Sequence, residues 1–192
     1  MKQFLESQDF LKTVIEEADR NSEGAQQLVA GLSDNQLSWT SSPDRWSIAQ
    51  CLDHLAVTSR QFNSYFTTAI KQGREKWPAT SALPYKPSWV GGWLIRQVVP
   101  ETTRKVPAPK VFRPSQSALI EGALEKFLNQ QSSFLDFVRE AKGIDYNKVR
   151  LRSPVTPFMR YSLADAFVVT VVHGWRHLAQ AKRVRDTSGF PA

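Results

Sequence analysis

Seven of the eleven prolines and three of the six tryptophans of this 192-residue chain fall within residues 73–114. Proline lacks the amide N–H that a helix interior or a central strand needs, and its ring clashes with the preceding turn, so no long regular element can cross that stretch. At most Ser88 to Val99 forms a short helix there. Regular structure has to be built on either side of it.

On the N-terminal side, residues 4–31 carry Leu5, Leu11, Val14, Ile15, Ala18, Leu28 and Val29 at mostly helical spacing, weakened around Asn21 to Gly24. Turn formers follow in SDNQLSWTSSPDR, and Ser47 stands where a helix cap is expected. A second helix should start near Trp46, run through Ile48, Cys51, Leu52, Leu55, Phe62, Phe66 and Ile70, and stop near Gly73. On the C-terminal side the spacing predicts a third helix over Ser115 to Lys142, capped by Ser115, with Leu119, Ala123, Phe127, Phe134 and Val138 on its apolar face, ended by Gly143. A fourth is predicted from about Tyr161 to Arg185, closing in Lys182, Arg183 and Arg185, cations that suit the negative end of a helix dipole. No segment reads as a strand.

Four long helices without strands indicate an all-α protein, a four-helix bundle in one domain spanning residues 1–192. A connection as long as 73–114 is too long for a tight antiparallel turn and reads as a crossover between helices two and three. That places those two helices parallel and gives an up-down-down-up order. At this length the core needs neither disulfides nor a structural metal, and Cys51 is the single cysteine. The N-terminus MKQFLESQDF has no apolar leader, and the most apolar runs, such as Phe167 to Val172, are far too short to cross a bilayer. The expected location is cytoplasmic, with no membrane partner.

The formal charge of +7 raises a nucleic-acid reading, so its distribution matters. Residues 1–72 carry a net −3, residues 73–114 a net +6 and residues 115–192 a net +4. The basic segment has no run longer than Arg104-Lys105 and no nucleic-acid-reading signature, so it is read as a basic surface loop without a specific nucleic-acid partner. Trp77, Trp89 and Trp93 interleave there with Lys76, Lys86 and Arg96. They can pack the loop onto the bundle, line the mouth of a substrate pocket, or stack a base.

His54, His173 and His177 are the only histidines. His173 and His177 are four residues apart in a predicted helix, so their rings leave the same face one turn apart, a spacing that suits one metal ion. His54 shares a helix face with Cys51 and Leu55 and should point inward. Three imidazoles can hold zinc, nickel, copper or iron and leave a position for water or substrate. At 1.5 Å rise per residue, His54 lies about 12 Å from the start of the second helix, and the His173/His177 midpoint about 15 Å from the end of the fourth but about 21 Å from its start. The levels match if those helices run antiparallel, as the up-down-down-up order requires.

The segment LSDNQLSWTSSPDRWSIAQCLDHL, with Trp46-Ser47-Ile48 leading into His54-Leu55, together with HGWRHLAQAKRV and the terminal Gly189-Phe190-Pro191, resembles the DinB/YfiT-like superfamily. The resemblance covers most of the chain outside residues 73–114. It implies an up-down-down-up four-helix bundle in which His54, His173 and His177 hold one divalent ion per chain, nickel or zinc first among them, and a homodimer. It further implies a metal-dependent enzyme on a small-molecule substrate, of the thiol-transferase type that uses a low-molecular-weight thiol or of the hydrolase type. The alternative is a metal-binding or stress-response interaction protein without turnover.

Other residues near the histidines are assigned by helix geometry. Asp53 points about 100° away from His54 and reads as a surface charge. Thr58 and Gln180 lie about one turn beyond His54 and His177 and can orient a ligand or a bound water. Cys51, one turn before His54, reads as a small core hydrophobe rather than a fourth ligand. No Ser-His-Asp or Cys-His pair and no phosphate-binding glycine loop competes with the metal, and no acid or base beyond it can be named.

Overall fold

The computed structural model describes residues 1–101, 107–115, 121–156 and 158–192. It is mostly helical, with helices α1 (Lys2–Leu5), α2 (Phe10–Val29), α3 (Asp34–Ser38), α4 (Ile48–Lys76), α5 (Trp89–Val98), α6 (Ala123–Glu140) and α7 (Leu163–Arg185). A 3₁₀ turn over Lys110–Phe112 and two short strands, β1 (Arg150–Arg152) and β2 (Arg160–Ser162), complete the described elements. Four long helices form the body: α4 packs on α6 and α7, and α2 packs on the same two. Their shared interior is aromatic, with Phe66 ringed by Phe137 and Phe167 at 5.5 Å and Phe134 at 6.0 Å. Buried amides fix register across it: Asn21 Nδ2 donates to the Val171 carbonyl and Gln131 Nε2 to that of Ala18.

Caps explain where the helices begin. Asp9 accepts from the Lys12 N–H at α2, and Ser33–Gln36, Ser47–Gln50 and Ser162–Asp165 form reciprocal capping boxes at α3, α4 and α7. The cap at Ser47 is as read from the sequence. The first helix differs from the reading. It breaks before Phe10, and α2 then runs without interruption through Asn21 to Gly24, because Asn21 is committed to a tertiary bond and Gly24 abuts Leu178.

Gly73 does not end the second helix, which continues to Lys76. This glycine is needed for close approach: a Cβ there would lie 2.8 Å from Ile144 Cδ1 and 2.9 Å from Val149 Cγ2. The third helix begins at Ala123, behind Gly122 in the left-handed region at φ 63°, and not at Ser115. Ser115 lies ahead of that start, and its N–H donates to the Asp53 carboxylate at 2.8 Å. Leu119 lies outside the described residues.

The absence of strands was also an incorrect expectation. β1 and β2 pair antiparallel with Leu151 opposite Tyr161, both buried. This hairpin takes Tyr161 out of the fourth helix, which starts at Leu163. Three-residue strands carry too few alternations to be read by period.

The segment that follows α4 has its own order. Ser88 caps α5, whose Gly91 and Ile95 are buried while Trp89 and Trp93 stay exposed. Asp165 is the anchor. Its fully buried carboxylate accepts from Tyr85 Oη at 2.8 Å, the Ser88 N–H at 3.2 Å, the Ser162 N–H at 3.0 Å and Ser162 Oγ at 2.6 Å. The amino ends of α5 and α7 thus share one carboxylate, an arrangement that also suits their dipoles.

Candidate functional site

From its first turn onward, α4 buries nearly every residue from Ile48 to Ser59. One side faces α6 and α7, and the other is covered by the 3₁₀ turn. This second cover changes the reading of Asp53, which is buried and binds the Ser115 N–H rather than standing in solvent as a surface charge. Geometry around the helix put Asp53 about 100° from His54 correctly. It could not show that a returning loop covers that face as well.

The three histidines converge from α4 and α7. One ligand nitrogen from each lies within 4.8 Å of the others, and among the described residues this is the group that could hold a metal ion. His54 and His177 are buried and His173 is half-buried. His54 Nδ1 lies 2.5 Å from the Phe112 carbonyl oxygen, which can only accept, so Nδ1 carries the proton and Nε2 presents its lone pair. That Nε2 is 3.2 Å from His173 Nε2. Two nitrogens at about 2.0–2.1 Å from a tetrahedral ion would be separated by about 3.3 Å. His177 Nδ1 is buried with no hydrogen-bond partner among the described residues. The donor set and this spacing suit a divalent ion.

Burial and neighbouring charges keep the rings in the neutral form, the form that can hold a metal ion. Burial pushes His54 down to about 4, against smaller opposing effects of the Phe112 carbonyl and the Asp53 charge. His173 and His177 fall well below the ordinary histidine range, first through burial and then through their histidine neighbours and the Arg176 guanidinium; Gln180 beside His177 acts in the opposite direction. Arg176 Nη1 also donates to the Val99 carbonyl at 3.0 Å, tying the end of α5 to the turn of α7 that carries His173 and His177.

Trp46 closes one wall, with its ring 4.7 Å from that of His54 and 5.6 Å from that of His177. Thr58 Oγ1, one turn beyond His54, is buried without a partner among the described residues. Cys51 is outside the cluster. It packs with Leu28, Ile48 and Ala181, and burial raises its thiol to about 12, so it is a core residue as expected. Trp77, Trp89 and Trp93 are all substantially exposed, Trp89 most of all at 84%. Sequence reasoning missed the Phe112 carbonyl and the Ser115 amide because both are backbone groups, which no residue pattern reveals. Trp46 had a signal, its place in the Trp-Ser-Ile motif.

No helix among the described residues is long and apolar enough to cross a membrane. Comparison with curated proteins gives no significant match. Among solved structures the chain is similar to YfiT from Bacillus subtilis, described as a probable metal-dependent hydrolase with an unusual four-helix bundle topology. The two share 17% identity and a TM-score of 0.61 over 96% of this chain and 91% of that one. At that identity the likeness bears on the fold. The sequence itself carries the family assignment: the DinB superfamily model matches residues 17–181, which include α4, the proline-rich segment 73–114 and the three clustered histidines, and the chain therefore belongs to the DinB superfamily.

Proposed function

We propose that His54, His173 and His177 hold one divalent metal ion, nickel or zinc, and that the chain is a metal-dependent enzyme of hydrolase type acting on a small molecule. The observation that carries this reading is the convergence of three neutral imidazoles, two buried and one half-buried. YfiT's description as a probable metal-dependent hydrolase supports the reaction class. The chemistry such an ion supplies is Lewis-acid polarisation of a substrate oxygen and easier deprotonation of water near neutral pH.

The chain's own residues prepare the site. The Phe112 carbonyl fixes the His54 tautomer, so that Nε2 is the ligating atom. Trp46 excludes water from one wall and limits ring rotation. The Arg176 charge disfavours protonation of His173 and His177, which would otherwise compete with the ion. Thr58 Oγ1, buried and without a partner, is available to orient a bound water or substrate. The up-down-down-up order belongs to the same reading. His54 lies near the start of α4 and His177 nearer the end of α7, so the pair meets at one level when these helices are antiparallel.

Elemental analysis of protein purified without chelator should find about one divalent ion per chain. The His173→Ala/His177→Ala variant should lose it, and any ester, amide or thiol-transfer activity found in a substrate screen should be lost with it. Stoichiometric metal in that variant would overturn the ligand assignment. Full metal occupancy with no turnover on any substrate class would overturn the enzyme assignment and leave a metal-binding protein.

A further inference from the structure

At the other end of α4, about 21 Å along the helix from His54 to Thr68, a groove of about 390 Å³ opens between this helix and the hairpin. Arg150, Arg152 and Arg160 line it from the strands, opposite Tyr65, Thr68 and Gln72 of α4. Arg150 and Arg152 flank the buried Leu151 and so share the outer face of β1; Arg160 stands directly opposite Arg152 in the ladder. Like charges facing one another across a ladder are destabilising, and here three share one face. Among the described residues no carboxylate lines the groove, and none of the three guanidinium groups is in an ion pair or a hydrogen bond.

An uncompensated cluster of guanidinium groups around a concave, partly apolar wall has the chemistry of oxyanion recognition. Each guanidinium offers a planar fork that matches two oxygens of a phosphate. The Tyr65 phenol and the Gln72 amide add neutral donors on the facing wall, whereas the Thr68 hydroxyl already donates to the Ser64 carbonyl at 2.8 Å. The volume is that of a small-molecule site. We propose that this groove binds the phosphate group of a small soluble ligand, at a site separate from the histidine cluster and independent of the metal assignment.

Calorimetric titration with inorganic pyrophosphate at physiological ionic strength tests this. Saturable one-to-one binding is expected, weakened about tenfold or more in Arg152→Gln/Arg160→Gln, which removes two charge-assisted contacts. The charge-matched variant Lys110→Gln/Lys142→Gln, altered at exposed lysines outside the groove, should bind as the parent does. So should His173→Ala/His177→Ala, which separates this site from the proposed metal. A merely structural role is excluded by melting temperature. The arginine variant should be as stable as the parent or more so, since it relieves like-charge opposition. Absence of saturable binding, equal weakening in the lysine variant, or loss of binding in the histidine variant would overturn the proposal. Binding only to phosphatidylcholine vesicles containing phosphatidic acid, with none to pyrophosphate, would overturn it in favour of a lipid surface.

Discussion

Replacing Asp165 by alanine should destabilise the protein by about 3–5 kcal/mol, although the residue lies two turns from the nearest histidine. The carboxylate is fully buried and accepts from four groups, Tyr85 Oη, the Ser88 N–H, the Ser162 N–H and Ser162 Oγ. Each buried donor left without a partner costs about 1–3 kcal/mol. The four do not count equally. The Ser88 amide is only partly buried and can recover a water, whereas Tyr85 Oη and the Ser162 groups lie in the interior. Loss of the N3 side chain of the α7 capping box adds to the cost. Two or three uncompensated donors give the stated range, which for a chain of this length corresponds to a fall in melting temperature of about 10–15 °C. Tyr85→Phe removes one donor and leaves the carboxylate three, so it should cost only about 1–2 kcal/mol. Burial and the Asp165 charge both raise the Tyr85 phenol above its ordinary range, so it is the proton donor in this pair. The assay is urea unfolding of metal-free protein followed by helical circular dichroism. An Asp165→Ala variant within about 1 kcal/mol of the parent would show that water replaces the carboxylate and that the junction of α5 with α7 is not buried as described.

Gly91→Ala should cost about 2–3 kcal/mol, because its Cβ would lie 2.0 Å from the Asp165 Cγ that four hydrogen bonds hold in place, while Gly92→Ala, with nothing within 4 Å, should be neutral or slightly stabilising; equal melting temperatures for the two would refute the close approach. Metal-free protein should lose stability as pH falls below about 6.5, since unfolded histidines then take up protons that the folded rings refuse until a lower pH. With His54 lowered to about 4, this residue alone accounts for about 2 kcal/mol between pH 7.5 and pH 5; an unchanged melting temperature over that interval, or an equal loss in His54→Ala, would contradict burial of the neutral ring.

The parts of this molecule that were legible in the sequence share one property: the signal and its cause lie in the same short segment. Ser47 and Gln50 cap α4 within four residues, and the His173/His177 pair states its own geometry because a helix has a fixed turn. Helix existence was read in this way, and the histidines were read as facing one another from the second and fourth helices. The misreadings share the opposite property. Gly73 looks like a helix end until Ile144 and Val149 are seen to press on it, some seventy residues away in the chain. Asp53 looks like a solvated charge until the segment ending at Ser115 folds over it. Asp165 was not singled out at all, because a capping acid in the first turn of a helix is ordinary, and its importance comes from Tyr85 and Ser88 on the far side of the prolines. In each case the deciding partner comes from a distant segment. The proline-rich stretch, an obstacle to regular structure, therefore also supplies polar contacts to the helices around it. It delivers Tyr85 and Ser88 to the start of α7, Val99 to Arg176, and Phe112 to His54, so the same stretch that breaks the helical pattern sets the tautomer of the histidine ring from α4 in the cluster.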